Sequence, residues 1–303
     1  MEYRFGDLAI ACTHVERVMF PDAGITKGEV IAYYDHVADA MLPELRRRPL
    51  TIERFTKGID QGGFFMKHHQ KHYPPWIDSF AIAGKTAVRY PLCDTPAALV
   101  YFANQGGVAF HVMASRADAI ASPDILVFDL DPPEGRFDLV RSAALILREL
   151  LPPLGLPAFV KTTGSKGLHV CVPLDGRASY DEVMQLCGAI SRHVCRVHGA
   201  LFTSEFYKKD RKGRLYFDVE RNRLGATFIA AYSLRGKPGA PIALPIAWSE
   251  VEDPALASSA FTLRTARARL DRAGDPWATL RSQEGSVAHA RQRFAQLHGA
   301  ENE

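Results

Sequence analysis

At 303 residues, 47% hydrophobic and 23% charged, the chain is long enough to bury a substantial core and has the composition of a globular protein. A formal net charge of +3 does not announce a nucleic-acid partner, and the apolar stretches are broken well short of a membrane span. Five cysteines (12, 93, 171, 187 and 195) with no Cys-x-x-Cys pair argue against a disulfide framework or a zinc-cysteine site. Together with an N-terminus that has an early acid and no hydrophobic signal core, they point to a reducing cytoplasm.

In chain order, residues 13–22 read as a short segment closed by Pro21. Thr26 is a helix N-cap with Glu29 completing a capping box. The helix that follows carries Val30, Tyr33, Tyr34, Val37, Met41, Leu42 and Leu45 on one stripe. Residues 49–55 alternate like a half-buried strand, and Gly58, Gly62 and Gly63 mark a loop before Phe64-Phe65-Met66. Tyr73-Pro74-Pro75-Trp76 is a rigid aromatic turn, and Pro96 opens a helix that Gly106-Gly107 ends. Strands are predicted over 108–112, 125–130, 157–162, 168–172, 214–219 and 226–231, and helices over 137–151 and 180–198. Beyond Pro254 the pattern is helical and increasingly polar, with the last residues frayed. Helices and mixed strands without strict βαβ repetition indicate an α/β chain of the α+β type.

The chain is organised around Ile125-Leu126-Val127-Phe128-Asp129-Leu130-Asp131-Pro132-Pro133. Side chains at i and i+2 of a strand share a face, so Asp129 and Asp131 leave the sheet side by side while Phe128 and Leu130 face the other way. Two carboxylates so close repel, and a cation between them removes the repulsion; a hard divalent ion binds through such carboxylates plus substrate phosphates. An Asp-x-Asp pair at a strand exit can equally cap a turn, and this segment alone leaves both readings open.

Other stretches bear on the choice. The loop Thr163-Gly164-Ser165-Lys166-Gly167-Leu168-His169 has the glycines, hydroxyls and point charge of a phosphate cradle, without the spacing of a P-loop. Alone it also reads as a Gly-rich hairpin with an incidental lysine. Asp218 could be a third metal carboxylate or a salt-bridge partner of Arg221 or Arg223. Phe64 and Phe65 could offer a base-stacking platform, although at least one of the two rings is expected in the core. Basic clusters at 46–48, 67–72 and 208–214 suit a phosphate-rich ligand.

Taken in order, Arg17-Val18-Met19-Phe20-Pro21, Gly24-Ile25-Thr26-Lys27-Gly28, Phe64-Phe65-Met66-Lys67-His68, Val127-Phe128-Asp129-Leu130-Asp131-Pro132, Gly164-Ser165-Lys166-Gly167-Leu168-His169 and Ala231-Tyr232-Ser233-Leu234-Arg235-Gly236 resemble one family. It is the polymerase (primase-polymerase) domain of bacterial ligase D, in the archaeo-eukaryotic primase superfamily. The resemblance implies mixed sheets flanked by helices, with the active site in a cleft between two sub-modules. It also implies a single domain over 1–303, divided into about 1–110, a catalytic part of about 111–250 and a helical tail of about 251–303.

The implied activity is template-directed nucleotidyl transfer to a primer 3′-hydroxyl at gaps or broken DNA ends, with ribonucleotides preferred. By resemblance, Asp129, Asp131 and Asp218 hold two ions of Mn2+ or Mg2+. Thr163, Ser165, Lys166 and His169, with His111, Arg235, Phe64 and Phe65, surround the incoming nucleotide. Arg17 and Lys27 grip a downstream 5′-phosphate, and Arg54, Lys67, Arg211 and Arg221 are candidate DNA contacts. Implied partners are DNA with a 5′-phosphate, NTP or dNTP, the end-binding protein Ku and a separate DNA ligase, in the cytoplasm at the nucleoid and away from membranes.

The sequence departs from the family pattern in having Arg17 for lysine, Thr163 for serine, Ala231 for proline and Arg221 for a neutral residue. No Lys-x-Asp-Gly adenylation motif is present. The rival readings are a metal-dependent phosphodiesterase or nuclease and a non-catalytic DNA-end binding module.

Overall fold

An apolar run of four residues, Ile125 to Phe128, needs cover on both faces, and it lies inside a six-stranded sheet with every member at most 2% exposed. The computed structural model that shows this describes residues 1–83 and 87–299, residue 208 by its backbone alone. The expected fraying of the last residues concerns 300–303 and lies outside the described residues. Packing divides the chain into two units. The first comprises Met1–Asp118, Thr227–Leu244 and Ser259–Asp275, and the second Ala119–Ala226, Pro245–Ser258 and Pro276–Glu303. The sequence division at about 110 and 250 follows chain order; packing does not. Residues 227–244 supply the strand Phe228–Ile229 to the first unit's sheet, so they fold with a part of the chain more than a hundred residues earlier.

In the first unit a four-stranded antiparallel sheet runs Phe228–Ile229, Gly107–Val112, Leu50–Arg54, Phe64–Met66. The stripe read as one helix forms two, Lys27–His36 and Ala38–Leu45, joined at Val37. The predicted capping box is present: Glu29 N–H donates to Thr26 Oγ1, and Thr26 N–H to the Glu29 carboxylate. The strand expected over 226–231 shortens to Phe228–Ile229, since Tyr232 takes a left-handed backbone (φ 65°) and turns the chain away.

The second unit's sheet has the order Phe202–Thr203, Leu215–Asp218, Ile125–Asp131, Leu168–Pro173, Phe159–Thr162, Pro245–Ile246. All its pairs are antiparallel except the first. Helices Phe137–Leu150 and Tyr180–Val197 pack against it. Phe128 meets Phe217 edge-on at 5.8 Å and Phe217 meets Phe202 at 6.1 Å. Each such ring contributes roughly 1.5–3 kcal/mol by burial, which fixes the strand's register and turns the intervening aspartates to the other face. Mainly antiparallel sheets with segregated helices make the fold α+β. Among the described residues, no helix is long and apolar enough to cross a membrane.

Candidate active site

Strand register places the second unit's polar residues in one row. Asp218 stands opposite Asp129, Asp129 opposite His169, and His169 opposite Lys161, across four neighbouring strands. Cross-strand partners have Cβ atoms only about 4.5–5.5 Å apart, so acid, acid, imidazole and ammonium alternate along a single line on one sheet face. Asp131, two residues on and exposed, shares the face of Asp129 and pairs with Tyr216.

Asp129 is 5% exposed and both its oxygens are engaged. Oδ1 lies 3.3 Å from His169 Nε2, and Oδ2 accepts from Arg221 Nε at 3.0 Å. Burial alone would raise its pKa, but His169 and Arg221 outweigh it and hold the carboxyl below the usual range. Burial, and then the Lys161 charge, push His169 down to about 4. The imidazole is therefore neutral at pH 7 and meets Asp129 as an N–H donor; Arg221 is the cation that keeps Asp129 ionised. Burial and the Asp129 charge push Asp131 up to about 6. Asp218 is also raised by burial, although its Oδ1 accepts from Glu220 N–H at 2.8 Å. Arg221 pairs with Asp129 and Arg223 with Glu220, and the Arg221 charge also draws the Asp218 pKa down against its burial.

A divalent cation fits the chemistry of this donor set. The carboxylates are hard oxygen donors, and two of them, Asp131 and Asp218, are raised by burial and then by the Asp129 charge, which a cation would relieve. Among the described residues no three His, Cys, Asp or Glu side chains are grouped so that they could hold a metal ion by themselves. An open site of one or two carboxylates completed by substrate phosphates is the usual arrangement for magnesium.

The strand Leu215–Asp218 ends opposite Asp129, leaving the backbone at Val127 without a neighbour on that side. Asn222, fully buried, supplies one. Its Oδ1 accepts from Val127 N–H at 2.8 Å and its Nδ2 donates to Val127 O at 2.7 Å. Nothing in the sequence pattern signalled this amide. Asn222→Leu, similar in volume but unable to pair, is expected to lower unfolding stability by about 2–4 kcal/mol, since both Val127 groups stay buried and unsatisfied. A chemical denaturation curve measures it, and a loss under about 0.5 kcal/mol would count against the role.

The loop after strand Phe159–Thr162 is braced from within. Thr163 Oγ1 lies 3.0 Å from Gly167 O, accepts from Gly167 N–H and Ser165 N–H, and contacts Ser258 Oγ at 3.1 Å. The Thr163 hydroxyl, anticipated at a triphosphate, is buried here and turned into the loop, because the turn's own N–H groups need an acceptor there. Ser165 is half-buried, and Lys166 is exposed beside a cleft of about 380 Å3 walled by Pro132, Pro133, Arg136 and Phe137.

The first unit holds the 5′-phosphate and aromatic candidates. Arg17 and Lys27 line one cavity of about 190 Å3, with Thr13, His14, Asn104 and Gln105. Lys27 Nζ donates to Thr13 O at 2.6 Å and Arg17 Nη1 donates to Thr56 O. Burial, and then the Arg17 charge, push the Lys27 pKa down. The cavity is smaller than the roughly 300 Å3 at which small-molecule pockets begin, and suits one phosphate group better than a nucleoside.

Phe64 and Phe65 correct the sequence expectation that one ring is core: they are 50% and 63% exposed. The reason is Phe55, whose ring fills the space beside Gly63 and Gly236, where an added Cβ would meet it at 2.5 and 2.2 Å. Phe65 stacks edge-on with His111 at 5.6 Å and stands opposite Glu53. Burial raises the Glu53 pKa, and Arg235 and Lys237 partly offset this.

The candidate DNA contacts divide by what holds them. Arg54 donates twice to Gln105 O and lies 5.6 Å from the Phe64 ring centroid. Arg211 donates to Glu205 O and Phe206 O and sits 4.3 Å over Tyr216. Arg54 therefore ties its strand to the distant Gln105, and Arg211 braces its own segment. Arg221 serves Asp129, and Lys67 is exposed. Sequence reasoning missed Lys161, Glu53, Asn222 and Ser258; only Lys161, a charge inside an apolar strand, left a trace.

The family model for the LigD primase-polymerase domain matches residues 26–277. The chain is 35% identical over 259 residues to the multifunctional non-homologous end joining DNA repair protein LigD of Mycobacterium tuberculosis, an overlap covering 82% of this chain and 34% of that protein. To the LigD of Pseudomonas aeruginosa it is 32% identical over 295 residues, covering 96% and 35%. It thus spans about a third of the length of these curated relatives. Among solved structures it is similar to the polymerase domain from Mycobacterium tuberculosis ligase D in complex with DNA, with a TM-score of 0.85 and 32% identity over 91% of this chain and 99% of that one.

Proposed function

The chain belongs to the LigD primase-polymerase domain family, a family of nucleotidyltransferases, and on that premise we propose that it adds nucleotides to a primer 3′-hydroxyl, under template direction, at gaps or broken ends of DNA in non-homologous end joining. The observation that carries this reading is the register of Asp218 against Asp129, with Asp131 on the same face and Lys166 on the neighbouring loop.

In this reading Asp129, Asp131 and Asp218 hold two divalent ions, magnesium or manganese. When bound, such ions activate the 3′-hydroxyl and neutralise charge on the departing pyrophosphate. His169 orients Asp129 through its Nε2 proton and Arg221 keeps that carboxylate charged before loading. Lys166 and Ser165 meet the triphosphate, with Arg235 and His111 as further nucleotide contacts and the exposed Phe64 and Phe65 rings stacking on template or nucleotide. Arg17 and Lys27 take the downstream 5′-phosphate. The preference is for ribonucleotides, and Ku and a separate ligase are the proposed partners.

The test is primer extension on gapped DNA with and without a 5′-phosphate, at fixed ionic strength, comparing NTP with dNTP and each metal. No incorporation by the unaltered protein on any substrate would overturn the assignment. Removing the phosphate should weaken DNA binding by about tenfold, the size of one charge-assisted contact. In Lys27→Ala that difference should largely vanish; an equal loss in both proteins excludes the pocket as the phosphate site.

A further inference from the structure

Ser258 closes the segment Pro245–Ser258 of the second unit, far along the chain from the Lys166 loop, and is 4% exposed. Its Oγ donates to Gly167 O at 2.7 Å, accepts from Ser165 N–H at 3.2 Å and meets Thr163 Oγ1 at 3.1 Å. A hydroxyl has one proton to give and two lone pairs to accept with. The set closes if Thr163 donates to Ser258 and Ser258 donates to Gly167 O, while the Ser165 and Gly167 N–H groups point at the two hydroxyl oxygens. The Ser165 and Gly167 amides are thereby turned inward, which leaves the exposed Lys166 side chain as the loop's charged group for an anion.

We infer that Ser258 is a positioning residue for nucleotide binding: it clasps the loop at Ser165, directly before Lys166, and so fixes where the ammonium stands. The inference rests on the reading of Lys166 as a triphosphate contact. The two ends of the loop are held differently. Gly167 is pinned against the carboxylate strand, with an added Cβ placed 1.9 Å from Leu130 O, whereas Ser165 N–H is held by the two hydroxyls, at 3.2 and 3.3 Å. Loss of the Ser258 hydroxyl therefore loosens the loop's tip and spares its contact with the strand of Asp129.

Ser258→Ala is expected to raise the nucleotide KM and its primer-free dissociation constant by about tenfold, with kcat changed less than about twofold, the pattern of lost uniform binding. Amide exchange at Ser165 should quicken by a similar factor, and Ser258→Thr, which restores a hydroxyl, should recover both. Unchanged Ser165 exchange or unchanged nucleotide affinity in Ser258→Ala overturns the inference. So does a lowered melting temperature with kcat and KM damaged together, which marks a purely structural residue. Lys166→Ala separates the premise: if it leaves nucleotide affinity intact, the reading of the loop itself fails. If Lys166→Ala weakens binding and Ser258→Ala does not, only the inference about Ser258 falls.

Discussion

Asp129→Ala is expected to abolish templated extension, by on the order of a thousand-fold or more, while the protein stays folded. Asp129 is touched from both sides, by His169 on one oxygen and Arg221 on the other. Its removal takes out the carboxylate that the other two surround, and leaves Arg221 beside Asp131 and Asp218, where it neutralises the charge a divalent ion would have met. Asp129→Asn distinguishes charge from shape, because the amide keeps the volume and part of the hydrogen bonding. Extension should be lost in both proteins, with near-normal far-ultraviolet dichroism and melting. Full extension by Asp129→Ala would sink the assignment of this carboxylate to the metals. Metal titration followed by calorimetry gives a second readout, and binding as tight as in the parent would sink it equally.

Much of this geometry was legible because it follows from a period of two. Apolar residues up to Phe128 and aspartates at 129 and 131 leave only one way to face the strand, and the register obeys it. Capping chemistry was equally local, so the helix beginning at Lys27 could be placed from Thr26 and Glu29. What could not be read was anything that depends on a partner distant in sequence. Phe55, rather than Phe64 or Phe65, takes the space beside Gly63, because Gly236 lies on the other side of its ring. Ser258, more than ninety residues on, makes the Thr163 hydroxyl half of a clasp. Asn222 stands in for a strand that ends early, and no propensity scale marks where a strand will end. The chain's two returns to the first unit, at Thr227 and Ser259, leave no compositional mark either.

Gly167→Ala tests how tightly the Lys166 loop is tied to the carboxylate strand, and it is expected to cost about 3 kcal/mol or more of stability together with most of the activity. The ideal Cβ would stand 1.9 Å from Leu130 O, 2.8 Å from its carbon and 3.1 Å from Asp131 Oδ1. Backbone atoms inside a paired strand cannot rotate away as a flexible side chain can. The loop must lift, breaking the Thr163 bonds to Gly167, or the strand must bend between its two aspartates. Gly167 is not among the positive-φ glycines, so alanine meets no conformational penalty there and the whole effect is steric. Gly176→Ala supplies the converse control: its φ is +65° with open space around the missing Cβ, and the cost should be only the roughly 1–2 kcal/mol of a left-handed alanine. Denaturation midpoints rank the two, and extension assays below the melting range show whether Gly167→Ala loses activity beyond its loss of stability. A Gly167→Ala protein that melts within 1 kcal/mol of the parent and extends primers normally would mean that the loop can withdraw from Leu130 without consequence, and that its closeness to the carboxylates has no part in the reaction.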